Sequence, residues 1–290
     1  MTPRNLFDLI LLAALWGGSF LFMRYAAPAF GAIPLIWLRV AIAAACLLPL
    51  LWWHGQSGQL WQNAGAMLVV GLLNSTVPFV LIAWAVLSIT SGLASILNAI
   101  TPIFTALIGV LWLKEKLSKS QMLGLLIGFG GVLLLAADKA DFKPGGSGWA
   151  IVAMLVATLC YGIVTHYIRH KLAGIPSLVT ATGAQLAAAI VLLPFAYWFW
   201  PAVMPDLKAW LAVIGLGVGC TALAFVLFFR LLAEVGASRA VAVTFLIPVF
   251  GVLWGSLFLG ETVSTPMLVG GAVIVLGTAL ATGVLRLPAR

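Results

Sequence analysis

Between Arg39 and Lys114 the chain carries not one Asp, Glu, Lys or Arg. A stretch that long with no charge cannot supply the water-facing surface of a soluble domain. The rest of the chain is similar: 8% of its 290 residues are charged and 63% hydrophobic, against about 25% charged in soluble proteins. With a mean hydropathy of +1.18, most of the surface must face hydrocarbon. The expected class is an all-α polytopic membrane protein.

Apolar runs long enough to cross about 30 Å of hydrocarbon fall at roughly 6–25, 34–53, 64–86, 91–113, 121–137, 147–167, 177–199, 208–230, 237–259 and 267–285. That predicts ten transmembrane helices. The first run follows Arg4, as in a secretory leader. Asp8, bulky Trp16 and the lack of a small-x-small cleavage site make it a retained helix instead. Cys46, Cys160 and Cys220 each lie inside an apolar run, far from one another, and are expected as free thiols.

The chain also repeats itself. Residues 85–136 align without a gap to 231–282 at an offset of 146, pairing Pro102 with Pro248, Glu115 with Glu261, Gly124 with Gly270 and Gly131 with Gly277. Further upstream the offset drifts, pairing Trp16-Gly17 with Tyr161-Gly162. Two five-helix halves, 1–140 and 141–290, are expected. Because five is odd, the second half enters the bilayer from the opposite side, making the halves inverted repeats of the kind found in secondary transporters.

The charges agree with that topology. With a cytoplasmic N-terminus, the inside segments hold Arg4, Lys114, Lys116, Lys119, Arg169, Lys171, Arg230, Arg239, Arg286 and Arg290, and the outside segments hold Arg24, Lys139, Lys143 and Lys208. The positive-inside rule then puts both termini in the cytoplasm. It also explains why LKEKLSKS (113–120) returns as LGETVSTP (259–266), with its glutamate kept and its lysines gone.

The repeated elements P-x-F, L-x-E and G-x(6)-G, with the N-terminal ALWGGSFLFMRYA, resemble the drug/metabolite transporter superfamily in its ten-helix EamA branch. The likeness spans the whole chain. Within the branch it is most similar to exporters of aromatic amino acids of the YddG type. The second G-x(6)-G helix departs from the first, with Ile274 where the first has Gly128. The resemblance implies export of small metabolites, a bacterial inner membrane as location, and alternating access.

Pro102 and Pro248 fall near the middle of apolar runs, where each should bend its helix and release a carbonyl four residues back, at Asn98 and Thr244. Unpaired backbone survives at that depth only beside protein or a wet cavity. A substrate cavity is therefore expected near the midplane. Its candidate walls are Ser91, Ser95, Asn98 and Pro102 on one helical face, Asn74 and Pro78 with Ile82 on another, Thr221 and Phe225 with Phe228 on a third, and Thr244. Packed proline kinks and interhelical hydroxyl contacts are the simpler alternatives. Trp16 and its mate Tyr161 are candidates to stack on a flat or cationic substrate.

Trp37, Trp52, Trp53, Trp61, Trp149, Trp198, Trp200 and Trp210 sit at run ends and read as interfacial belt residues, whereas Trp84, Trp112 and Trp254 lie deeper. Glu115 and Glu261 read as helix-end elements, His166 as a headgroup-level contact. Arg39 is expected to snorkel to the outer interface, with capture of a substrate carboxylate as the alternative.

No carboxylate lies at the centre of a run, so no coupling residue stands out. GLGVGC (215–220) imitates a dinucleotide loop, but its uncharged apolar setting favours tight helix packing. ATPase and hydrolase motifs are absent, and no enzyme, metal, cofactor or nucleic-acid partner is expected. The expected partners are a small-molecule substrate and membrane lipid, with a monomer as the unit. A broad exporter of hydrophobic or cationic drugs stays open, as does a membrane-embedded enzyme or assembly partner.

Overall fold

The computed structural model describes residues 2–137, 141–143, 146–240 and 242–285, with the backbone alone at 237 and 238. Lys139, Arg286 and Arg290 of the charge count lie outside the described residues. Eight helices are long and apolar enough to cross a membrane: α1 (Pro3–Phe30), α2 (Ala32–Trp53), α3 (Ala64–Ala85), α4 (Ser91–Leu113), α5 (Lys119–Ala137), α6 (Ser147–Lys171), α7 (Ser177–Trp198) and α8 (Leu207–Val235). Two shorter apolar helices follow, α9 (Val243–Leu259) and α10 (Thr265–Ala281). No strand occurs among the described residues.

Each expected run overlaps one of these helices, with α1, α6 and α8 markedly longer than expected and α9 shorter. Helix α1 extends to 28 residues, about 42 Å at 1.5 Å per residue, because a Thr2–Asn5 capping box starts it early. Helix α9 has 17 residues, about 26 Å long. It begins after a separate helical turn, Ala237–Ala240, which takes up the first part of the expected run 237–259.

Three helices are irregular within their apolar spans. Helix α3 contains a π-segment at Leu72–Thr76 and α8 a longer one at Gly215–Leu223. Helix α4 is interrupted between Asn98 and Thr101. Pro102 opens the second segment, where its missing N–H costs nothing. The break leaves two carbonyls without helical partners. Thr101 Oγ1 donates to the Asn98 carbonyl at 2.8 Å, and Thr278 Oγ1 of α10 donates to the Ala99 carbonyl at 3.0 Å. Pro248 instead sits inside a continuous α9, so the two prolines do not make equivalent breaks.

Equivalent contacts do recur at the repeat offset. Gly17 of α1 packs at Phe250 and Gly251 of α9, while Gly162 of α6 packs at Phe104 and Thr105 of α4. The chain leaves α4 through Lys114 (φ 55°) and α9 through Gly260 (φ 64°), both left-handed. In each case the following glutamate amide donates to a carbonyl six residues back, Glu115 to Gly109 and Glu261 to Gly255, both at 3.1 Å.

The glycine faces of α5 and α10 meet each other. A Cβ on Gly124 would stand 2.7 Å from the Gly277 carbonyl oxygen, and one on Gly277 would stand 2.8 Å from that of Gly124. Backbone cannot yield as a side-chain tip can, so these positions exclude any larger residue. Gly130, on the same helix, has open space around it.

Gly277→Val is therefore expected to lower stability by about 2 kcal/mol or more through forced separation of the helices. Gly130→Ala should be neutral or stabilising by up to about 1 kcal/mol from helix propensity. Thermal unfolding of the two purified variants in detergent checks the contrast. Equal losses in both would show that α5 and α10 are not in backbone contact.

Candidate functional site

A cavity of about 280 Å³ lies among α1, α2, α3, α4, α6, α8 and α9. It draws on both halves of the chain. Trp16 and Tyr161, mates in the repeat, both line it, as do the mates Asn98 and Thr244. Asn74, Pro102, Thr221, Phe225, Phe228 and Ile82 complete the set of expected wall residues found there. Trp16 packs against Phe228 with ring centroids 5.4 Å apart, which fixes both aromatic faces at the wall.

Three expected wall residues, Ser91, Ser95 and Pro78, are not brought to it, nor is the expected kink residue Pro248. Ser91 and Ser95 are buried elsewhere. The Ser91 amide and hydroxyl each donate to the Glu261 carboxylate at 2.8 Å, joined by the Gly92 amide at 3.2 Å. Ser95 donates to the Gly92 carbonyl at 2.8 Å and packs under Gly251. Pro78 and Pro248 are buried away from the cavity. The supposed continuous face from Ser91 to Pro102 fails because α4 is interrupted between its two ends.

The polar groups differ from expectation as well. The Asn98 carbonyl is occupied by Thr101, but the Asn98 side-chain Oδ1 is buried without a hydrogen-bond partner. An amide oxygen left this way in an apolar setting carries a desolvation cost of about 1–3 kcal/mol. It is an acceptor in want of a donor. Ser19 and Thr165 add hydroxyls that the sequence reading did not select.

The largest correction concerns Arg39. Instead of snorkelling to an interface it lies 4% exposed within the molecule and lines the cavity. Its Nε donates to Thr221 Oγ1 at 3.0 Å, and its guanidinium carbon sits 3.6 Å from the Phe79 ring centroid. The Thr221 hydroxyl is oriented by donating to the Leu216 carbonyl five residues back, at 2.8 Å, a spacing that the π-segment of α8 creates. Gly217 in that segment lets α2 come close: a Cβ there would meet Ile42 at 2.7 Å and the Arg39 carbonyl at 3.2 Å. GLGVGC thus packs helices, as expected, and in doing so seats the arginine. The signal was available, since an ionisable residue inside an apolar span is a functional candidate by default.

The remaining charges cluster at helix ends. Arg230 of α8 pairs with buried Asp8 of α1, and Asn5 donates to Glu234 at 2.6 Å. Glu115, in the turn after α4, pairs with Arg169 of α6. The hydrogen bond from Arg169 holds the Glu115 carboxyl below the usual carboxylate range. His166 faces inward, not toward lipid. It is buried, with Nε2 2.8 Å from the Thr105 carbonyl, joining α6 to α4.

Among the tryptophans, Trp52, Trp53, Trp61, Trp149, Trp198 and Trp200 are exposed, whereas Trp37 and Trp210 are partly buried in edge-on pairs with Trp200 and Phe30. Trp84 and Trp112 face outward. Trp254 donates to the Ala14 carbonyl at 3.0 Å and walls a second, wider groove of about 700 Å³ between α1, α8 and α9. That groove is almost wholly apolar. Among the described residues Lys208 is its only charged lining residue, and such a lining lacks the convergent polar groups that orient a small ligand.

Comparison with known proteins agrees with this architecture. A transporter of Archaeoglobus fulgidus is 24% identical over 93% of this chain and 95% of its own length. A probable terminal-alkyne amino-acid exporter of Streptantibioticus cattleyicolor is 24% identical over 94% of this chain and 91% of its own. Protein PecM of Dickeya dadantii is 30% identical over 73% and 70%. A solved crystal structure superposes with a TM-score of 0.68 over 98% of both chains at 20% identity, which shows a shared fold. The EamA-like transporter family matches residues 6–137 and again residues 148–283. Both stretches contribute walls to the one cavity, and this multi-pass membrane protein belongs to the EamA-like transporter family of the drug/metabolite transporter superfamily.

Proposed function

We propose that the protein exports aromatic amino acids, or metabolites much like them, from the cytoplasm across a bacterial inner membrane. The observation that carries this reading is the convergence of two repeat-related pairs, Trp16 with Tyr161 and Asn98 with Thr244, on one small cavity. Aromatic walls take a ring by stacking and edge contacts. The amide and hydroxyl groups beside them offer hydrogen bonds to a polar head. The similarity to a probable amino-acid exporter supports the same substrate class.

The transport cycle in this reading is alternating access, with the halves 1–140 and 141–290 as inverted five-helix repeats and both termini in the cytoplasm. Support comes from an asymmetry between equivalent residues. Glu261 clamps the start of α4 through three hydrogen bonds, so α4 and the turn after α9 are tied at that end. Its mate Glu115 engages Arg169 of α6 instead. Exchange of these two engagements would open one end of the cavity while closing the other. By the distribution of basic residues, the clamped end faces out.

Export of cationic drugs, the competing reading, has less support, because the ion buried at the cavity wall is itself a cation, Arg39.

Counterflow in proteoliposomes preloaded with phenylalanine tests the assignment. Labelled phenylalanine and tryptophan should exchange, and threonine and a quaternary-ammonium dye should not. Movement of the dye alone would refute the amino-acid reading. In the same assay Asn98→Ala should raise the half-saturation concentration about tenfold, the worth of one hydrogen bond to a charged group. Glu261→Gln should change the exchange rate more than the half-saturation concentration, since it acts on the clamp and not on the cavity. Unchanged kinetics in both variants would remove the roles given to those residues.

A further inference from the structure

Among the described residues the guanidinium of Arg39 has no counter-charge. Every acidic side chain among the described residues is engaged elsewhere: Asp8 with Arg230, Glu115 with Arg169, Glu261 with Ser91, Glu234 with Asn5, Asp206 with the Ala209 amide and Asp141 with the Lys143 amide. A buried charge is tolerated only when it is paired, hydrogen-bonded or about to be. Arg39 is partly provided for. Nε is held by Thr221, one face lies over Phe79, and Nη1 has only the thioether of Met23 at 3.5 Å, a weak acceptor. No carboxylate stands among the cavity's described lining residues to match its remaining donors, and Arg39 opens on the cavity.

A guanidinium fixed at Nε and covered on one face presents its Nη edge in a set direction. That planar fork matches a carboxylate, which can accept two parallel hydrogen bonds. Asn98, another residue of the same lining, supplies the complement, a buried Oδ1 without a donor. The two deficits are of opposite kind. One site lacks an anion and the other lacks a hydrogen-bond donor, and a zwitterionic α-amino acid brings both.

We propose that Arg39 is the residue that selects the substrate, by pairing with a carboxylate that every good substrate carries, while Asn98 Oδ1 accepts from its ammonium group. The assignment rests on the export reading above and narrows it: compounds without a carboxylate are excluded, whatever their ring. Thr221 acts as a positioning residue, holding the guanidinium from the Nε side.

The test uses the full chain in detergent and four ring-matched compounds: L-phenylalanine, 3-phenylpropanoate, L-phenylalaninamide and 2-phenylethylamine. Thermal stabilisation of the protein reports binding. Phenylalanine and phenylpropanoate should raise the unfolding temperature, and the amide and the amine should not at equal concentration. Arg39→Gln should weaken carboxylate binding at least tenfold, with Arg39→Lys intermediate because it keeps the charge and loses the fork. Should Arg39→Gln fail to fold, Thr221→Val keeps the charge and frees its anchor, and several-fold weaker carboxylate binding is expected.

Binding of phenylethylamine as good as that of phenylpropanoate, in the unsubstituted protein, overturns the proposal without any variant. So does carboxylate binding that survives intact in Arg39→Gln. The outcome for the export reading is separate. Carboxylate-selective binding without counterflow of aromatic amino acids would sink amino-acid export and leave the Arg39 site standing. Counterflow of phenylalanine that Arg39→Gln does not alter would do the reverse.

Discussion

In hydrocarbon a backbone carbonyl or amide finds no partner but protein, and each interruption of a helix must be repaired from within. The architecture here follows from where those repairs are made. Helix α4 is broken between Asn98 and Thr101, and two threonines close the gap, one from the next turn and one from α10. Thr278 can reach the Ala99 carbonyl because α5 and α10 pack at backbone contact behind it, which is the service of Gly124 and Gly277. The glycine faces and the break are thus one construction. Without the close pair at the back, the carbonyl in the middle would be orphaned.

The same logic applies at helix ends. The start of α4 leaves amides that have no acceptor in their own helix, and Glu261 satisfies those of Ser91 and Gly92 from the far half of the chain. A carboxylate at a helix N-terminus also meets the positive end of the helix dipole. Glu115 stands at the equivalent point and takes an arginine instead. Two chemically identical residues in equivalent turns therefore hold different partners, the asymmetry on which the proposed exchange of engagements rests.

Much of this was legible in the sequence because it is periodic. The spacing of Gly124 and Gly131, repeated at Gly270 and Gly277, marked the two helices whose small faces meet in the structure, and the approximate helix positions followed from apolar length. The wall residues Trp16, Asn74, Asn98, Tyr161, Thr221, Phe225 and Thr244 were found because the repeat marked equivalent positions or because a polar group interrupted an apolar face. What stayed hidden depended on departures from periodicity. Ser91 and Ser95 were placed by counting turns along a helix that is in fact interrupted, so the count did not carry their face to that of Pro102. Pro248 was expected to behave as Pro102 does, yet a continuous α9 absorbs it. Arg39 was assigned by its distance from a run end, and distance along one helix says nothing about what a neighbour offers.

That neighbour is the π-segment of α8, and it joins structure to function. An extra residue in the turn shifts the hydrogen-bond partner of Thr221 to Leu216, five residues back, and aims the hydroxyl at α2. Within the same segment Gly217 has no side chain to hold α2 away. Either feature alone would fail: a closely packed α2 without the hydroxyl leaves the Nε donor unpaired, and a hydroxyl without close packing does not reach it. Phe79, from the helix with the other π-segment, covers the guanidinium face. The two helices with π-segments, one from each half, therefore grip a single cation from two sides and leave its remaining edge to the cavity. A charge so thoroughly positioned and so poorly neutralised is costly to keep for stability alone, and its natural counter-ion is one that arrives and departs with each turnover.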